Sequence, residues 1–351
     1  MNKKLIAMAV AAGLTAPMAA QAGVTVYGHL QVEIASVTND GYGENNTGGD
    51  RTGIATNQSG IKMKDNKRGR LGFKVSEDLG GGLKGIAKFE WQIDTPNGNI
   101  ADGAREGWVG LKGGWGEFKA GRVKTPYKYT GGVKYDPFVT TYLEARKSGG
   151  MLGGAYGQNS FWNQSVSYKN KWGGLSLWVL YGLDEGDGAG ASAGSGGTMG
   201  SISAAVKYGA KNWEVFAAYN KADGDVNDAA NGITTTGNDR KVTKLGGRIK
   251  FASAHTISAQ YEMDDPYGSN NDGKIYFLGY QFKMGKNVLA AQYGNTDYDP
   301  GTTGADATYY ALGWIYKFSK KTRAFVGYRN TDGKAANNDL SVISTGLRVD
   351  F

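Results

Sequence analysis

The feature that most restricts how this chain can fold is a period of two that recurs from Val24 to the last residue. In VTVYGHLQVEIAS, Val24, Val26, Leu30, Val32 and Ile34 share one side of an extended chain, while Thr25, Tyr27, His29, Gln31 and Glu33 share the other. The same phase returns with Leu71, Phe73 and Val75 against Arg70 and Lys74, and with Ala87, Phe89 and Trp91 against Lys88 and Glu90. It returns again in Leu175, Leu177, Val179 and Tyr181, in Ile202 to Tyr208 against Lys207, and in Trp213 to Tyr219 against Glu214 and Asn220. A strand that is apolar on one side and charged on the other sits between two different solvents. A soluble sandwich would bury the apolar side in a core, and the 329 residues after Ala22 would then need at least two sandwiches and a linker. No linker interrupts the pattern. Lipid outside and water inside a closed barrel satisfies it throughout.

The connections agree. Short ones (Asp78 to Gly82, Gly113-Gly114, Asn170 to Gly174, Ala210 to Asn212, Ser253-Ala254, Met284 to Lys286, Ser319 to Lys321) alternate with long ones rich in Gly, Asn, Asp and Thr. The long ones run from Val37 to Asn66, Val123 to Gln158, Asp184 to Thr198, Asp223 to Arg240 and Asp332 to Asp339. Tight turns on one rim and long loops on the other suit an outer-membrane barrel. The count is sixteen strands, with the weakest alternation between Arg105 and Arg122. The expected fold is therefore all-β: a sixteen-stranded antiparallel transmembrane β-barrel spanning residues 23–351.

The chain opens with Lys3 and Lys4, an apolar run from Leu5 to Leu14, and Ala20-Gln21-Ala22 before Gly23, the layout of a secretory signal peptide over residues 1–22. No later stretch reaches the roughly twenty apolar residues of a membrane helix. Fifty-seven glycines and no cysteine fit an exported protein held by a cylinder of strands rather than by disulfides. The net charge of +8 comes with no basic recognition motif, so nucleic acid is not an expected partner.

One stretch breaks the alternation. Gly121 to Phe161 mixes Lys124, Lys128, Lys134, Asp136, Glu144, Arg146 and Lys147 with Tyr127, Tyr135, Phe138 and Tyr142. A connection this long between strands of a closed barrel is a functional loop. The expectation is that it folds into the lumen and constricts it. Charges lining a narrow channel act with little screening. Facing in by alternation are Lys88, Arg248, Arg323 and Arg329, against Glu33, Glu90 and Glu262. With His29, Arg70 and Lys169 the lumen leans positive, and weak anion preference is expected.

The final run, SVISTGLRVDF, puts Ile343, Thr345, Leu347, Val349 and Phe351 on one face and ends on an aromatic, as an interfacial strand does.

These residues resemble the general porins of Gram-negative outer membranes. The resemblance covers essentially the whole chain. It is carried by VTVYGHLQ, by GRLGFKVSEDLGGGLKG, by EGWVGLKGGWGEFKAGR, by SYKNKWGGLSLWVLYG and by the terminal GLRVDF. It implies a water-filled channel for passive diffusion of ions and small hydrophilic solutes, without cofactor, metal or catalytic residues. It implies a homotrimer in the outer membrane, surrounded by lipid and lipopolysaccharide, and inserted by an assembly machinery that reads the last strand through Leu347, Val349 and Phe351. Carried over by motif, Arg70 matches the family's wall arginine and Arg122 a second, Lys169 stands where arginine is common, and His29 where some members have lysine. Asp136 and Glu144 would be the acidic partners, with Lys124, Lys134 and Arg146 completing the charged set. The loop has Lys-Tyr-Asp-Pro-Phe where enteric members have Pro-Glu-Phe-Gly-Gly. Alternation agrees for His29, Arg70 and Lys169; for Arg122, counted from Phe118 and Ala120, it points outward, so a bulge or the strand's end must turn it.

Other readings have thinner support. A channel selective for phosphate or small carboxylates could use Tyr127, Tyr129, Tyr135 and Tyr142 beside the loop lysines. A hydrolase could be read from Gly190-Ala-Ser-Ala-Gly194, but only His29 and His255 exist and no strand-to-helix turn surrounds the serine. Asp184 to Asp187 and Asp297-Tyr298-Asp299 lack the spacing of a calcium loop. An adhesin could use the long loops.

Overall fold

The computed structural model describes residues 23–39, 59–64, 69–145, 161–183, 200–222, 240–265, 272–298, 306–333 and 339–351. The leader Met1 to Ala22, Arg146, the Gly190–Gly194 run and the Asp184–Asp187 run lie outside the described residues. The strands are β1 (Gly23–Asn39), β2 (Gly60–Lys64), β3 (Gly69–Gly80), β4 (Leu83–Asp94), β5 (Asn99–Gly113), β6 (Gly116–Lys124), β7 (Phe161–Trp172), β8 (Leu175–Gly182) and β9 (Ile202–Gly209). They continue with β10 (Trp213–Ala222), β11 (Arg240–Phe251), β12 (His255–Asp265), β13 (Gly273–Met284), β14 (Asn287–Tyr298), β15 (Ala307–Lys317), β16 (Thr322–Gly333) and β17 (Asp339–Asp350).

Every neighbouring pair from β3 to β17 is antiparallel and consecutive, and β1 closes the sheet by pairing with β17 on one side. On its other side β1 pairs with β2 through Glu33 to Val37 and with β3 through Gly23 to His29. β2 and β3 thus occupy one position in the wall, and the seventeen segments make a sixteen-stranded closed barrel. Closure leaves no free edge, so the ladder satisfies every backbone polar group that lipid could not. Among the described residues no helix is long and apolar enough to cross a membrane; the strands do the crossing.

The side chains follow the period of two. On β17, Ile343, Leu347 and Val349 point outward with 43–58% of their surface exposed, while Leu340, Val342 and Ser344 are fully buried. The chain end is stitched into the wall: the Phe351 N–H donates to the Gly28 carbonyl (3.0 Å), and the Gly28 N–H donates to the Phe351 carbonyl (3.2 Å).

Two features depart from the sequence expectation. The stretch expected to be loop from Val37 to Asn66 contains β2, because Ile61 and Met63 continue the outward phase that Ile34 meets across the ladder. On the long-loop rim, β4 and β5 are joined by a turn of only four residues, 95–98, in which Gly98 has φ +67° and the Asp94 carboxylate accepts the Asn97 side-chain amide (2.9 Å). Aspartate before a Pro-Asn-Gly run caps such a turn locally, so no long loop is needed there.

Candidate functional site

Residues 125–145 leave the wall after β6 as a single helical turn, α1 (Pro126–Tyr129), and a 3-10 turn over Gly132–Lys134. Pro126 opens α1 in the position where its missing N–H costs nothing. The segment then packs against the face of the sheet opposite the exposed apolar one. Tyr127, Tyr135, Phe138 and Leu143 form one apolar cluster with Phe216, Phe277, Phe325 and Tyr309 of the wall. The Tyr135 and Phe216 rings meet edge-on at 5.6 Å. Two wall glycines make room for it: a β-carbon on Gly313 would come within 2.8 Å of the Phe138 ring, and one on Gly327 within 2.5 Å of Leu143.

Polar contacts fix the segment along its length. The Tyr127 hydroxyl donates to Glu262 (2.8 Å) and the Gly132 N–H to the side-chain oxygen of Gln260 (2.7 Å). Further on, the Tyr142 N–H donates to Glu33 (3.0 Å), Gln292 donates to the Leu143 carbonyl (2.9 Å), and Arg329 donates to the Tyr142 carbonyl (3.1 Å). Lys244 reaches the Tyr127 carbonyl, with its ammonium 4.2 Å from that ring's centre. These anchors belong to β1, β11, β12, β14 and β16. The segment is therefore held around one side of the cylinder rather than at one point.

The acids of the segment act on its own backbone. Asp136 accepts the N–H of Phe138 and of Ala145 (both 2.7 Å), and Glu144 accepts the N–H of Thr140 (2.9 Å). Both are buried, at 4% and 1% exposure. Burial, and Glu144 beside it, push the Asp136 carboxyl up to about 7. Lys134 is exposed on the 3-10 turn, and partial desolvation with Lys124, Lys169 and Lys207 nearby pulls its ammonium down to about 8.

The wall from β3 to β6 carries the strongest charge. Arg70 lies within electrostatic reach of Arg105, Glu90 and Arg348. Arg105 donates to Glu90 (2.8 Å), and Lys88 bridges Glu90 (3.1 Å) and Glu106 (2.6 Å). Lys124 stands 3.7 Å from Glu106. Arg348 pairs with Asp350 (2.7 Å) and also donates to the Thr140 hydroxyl of the segment (3.2 Å). His29 faces Asp350 across the β1–β17 ladder, with Nδ1 at 3.8 Å. His29, Arg70, Lys124, Arg105 and Arg348 thus form a basic group in which the carboxylates come from the wall itself.

Lys169 touches that group only at Lys124, which lies within its electrostatic reach. It lies four residues before Gly173 of the short turn, opposite Glu117, with its ammonium 4.7 Å from the Trp178 ring. Arg122 follows the outward phase by register, opposite Gly107. The β6–β7 ladder shifts between Gly121 and Val123, with Gln164 at φ +43°. Through that irregularity the Arg122 guanidinium turns to the Ala104 carbonyl (2.8 Å) and to Asn163, and stacks 5.6 Å from the Phe161 ring that Arg105 also covers.

Arg105 escapes a reading by alternation. β4 pairs Glu90 with Glu106 and Trp91 with Ala104, which leaves Arg105 as the extra residue of a bulge. The bulge buries Arg105 beside Glu106, which keeps the inward phase of Trp108 and Lys112. Arg348 does follow its strand's phase, opposite Gln31 and Arg323, and could have been found from its place between Leu347 and Val349.

Known proteins share this architecture and sequence. The profile of the family described as Gram-negative porin matches residues 7–336. The chain is 28% identical to the major outer membrane protein P.IB of Neisseria meningitidis serogroup B over 366 aligned positions, covering all of both chains. It is 29% identical to outer membrane porin protein 32 of Delftia acidovorans, over 93% of this chain and 88% of that one. Among solved structures, an anion-selective porin from Comamonas acidovorans superposes with a TM-score of 0.74 at 22% identity, over 94% of this chain and all of that one. Salmonella typhi OmpF, solved with daunomycin, superposes at 0.70 with 18% identity, over 93% and 97% of the two chains. A closed sixteen-stranded barrel of alternating faces, matched by this profile over nearly its whole length, makes the chain a member of the Gram-negative porin family of the outer membrane.

Proposed function

We propose that the protein is a diffusion channel for ions and small hydrophilic solutes with weak anion preference, narrowed by residues 125–145 inside the lumen. The observation that carries the sign is the composition of the polar wall beside that segment. Arg70, Arg105, Arg348, Lys88 and Lys124 face Glu90, Glu106 and Asp350, so cations outnumber carboxylates there. The segment adds Lys134, while Asp136 and Glu144 are spent on its own backbone. A narrow water path past such a wall favours anions by a field that salt screens incompletely. His29, Arg122, Lys169 and, by the family resemblance, Arg146 belong to the same pore-lining set, with Lys169 nearer the short-turn rim. The similarity to a porin named as anion-selective agrees with the sign.

The remaining assignments follow from family membership. Residues 1–22 direct export, and the outward band of Leu347, Val349 and Phe351 presents the assembly signal and meets outer-membrane lipid and lipopolysaccharide. A trimer is the expected assembly, as in the trimer form of OmpT from Vibrio cholerae. The homologues are channels rather than enzymes, and transport here uses no cofactor. The test is the reversal potential of single channels in a KCl gradient. Wild type should favour chloride, and Arg70→Gln/Arg348→Gln should move the potential toward zero. Cation preference in wild type would overturn the sign.

A further inference from the structure

On the short-turn side of this wall the ladder sets like charges directly opposite one another. Lys74 of β3 pairs with Lys88 of β4, and Lys84 of β4 pairs with Lys112 of β5. Like charges facing across antiparallel strands destabilise a sheet. Lys88 is compensated by Glu90 and Glu106, and Lys119 by Glu117 at 2.6 Å. Lys84 and Lys112 make no ion pair among the described residues, although Asp78 stands opposite Lys84 on β3 and Glu117, already paired with Lys119, stands opposite Lys112 on β6. The lysines converge on one open cavity of about 570 Å³, lined by six of them, by the two carboxylates Glu106 and Glu117, and by Trp108. Trp108 is fixed, its indole N–H donating to Glu106 (2.9 Å) under the Lys119 ammonium at 4.1 Å. A cavity of this size holds a small ligand. Its surplus of four positive charges suits an anion carrying more than one charge.

Resting on the channel reading, we infer that this groove is a second anion station, below the constriction, for polyvalent oxyanions of the phosphate and pyrophosphate class. A dianion bridging Lys84 and Lys112 cancels the repulsion that a single chloride leaves half in place. The groove shares Lys88, Lys124 and Glu106 with the wall that sets the sign of selectivity and adds Lys74, Lys84, Lys112 and Lys119, so that polyvalent anions collect toward the short-turn mouth.

Pyrophosphate is the probe. In single channels carrying chloride, adding it on the short-turn side should lower the unitary current saturably, and the same addition to the folded protein in detergent should titrate as a binding heat. Lys84→Gln/Lys112→Gln should raise both midpoints about fivefold, equivalent to about 1 kcal/mol, while leaving the KCl reversal potential with its sign. Arg70→Gln should leave the midpoints close to wild type. No binding heat and no saturable block in a folded wild type, or midpoints indifferent to the double variant, would overturn the site. The calorimetry reads the groove without any current, so it decides the site even where the reversal potential refutes the selectivity reading.

Discussion

Asp136 gives the docked segment a pH dependence with a definite direction. Its carboxyl is held at about 7 against 3.8 in an open chain, by burial and by Glu144, with Tyr309 and Arg329 as the other charged or titratable groups nearby. The docked segment therefore favours the neutral acid, and ionisation favours the released one. Docking is strongest below the open-chain value, weakens as pH rises between the two, and levels off above 7. At about 1.4 kcal/mol per pH unit, the full interval is worth on the order of 4 kcal/mol. Between pH 5 and pH 8, which takes in most of that interval, the opening constant should rise roughly a hundredfold. The natural reporters are the amides of Phe138 and Ala145, which donate to Asp136. Hydrogen exchange of the peptide spanning 136–145, corrected for the intrinsic rate, should show protection falling from pH 5 to pH 8. Asp136→Asn should flatten the dependence. Protection that is independent of pH in wild type, or that increases with pH, would refute the reasoning.

Three further outcomes follow from the same packing. Phe138→Ala empties the hollow beside Gly313 and should cost the docked segment about 3–5 kcal/mol, read as noisier and larger unitary currents in a barrel whose strand content by circular dichroism is unchanged. Gly313→Leu fills that hollow from the wall side, so it should displace Phe138 and produce the same noisy currents, which a change acting only on the strand would not. Gly121, at φ +131° and with a β-carbon clashing against the Gly107 carbonyl, should not accept valine; Gly121→Val should lower refolding yield in detergent, whereas Ala120→Val on the outward face should not.

Most of the fold was legible because a barrel between lipid and water has one repeating rule, and residues such as Val24, Leu30 and Ile34 obey it without a tertiary partner. The site was less so, for three physical reasons. First, residues 125–145 pack on inward-phase apolar residues, Phe216, Phe277 and Phe325 with Ala218 and Ile275 beside them; these break the polar inward phase where the wall carries a packed segment. That is a signal alternation contains but does not interpret. Second, bulges reset the phase, so Arg105 enters the basic group while Arg122 reaches it only by bending around the irregularity at Gly121. Third, hydrogen bonds within the loop have no period. Asp136 and Glu144 look like free acids set against a basic wall until their partners prove to be the amides of Phe138, Ala145 and Thr140.

In a channel narrowed by residues 125–145, water and ions pass that segment on their way through the barrel. The chain has no cysteine, so one can be placed without interference at the exposed Lys134. Single channels of Lys134→Cys, treated with a bulky charged thiol reagent, should show a stepwise drop in unitary current that a reductant reverses, whereas Leu347→Cys on the outward face should show none. A Lys134→Cys channel that reacts fully, by mass, yet conducts as before would place the ion path elsewhere and contradict the account.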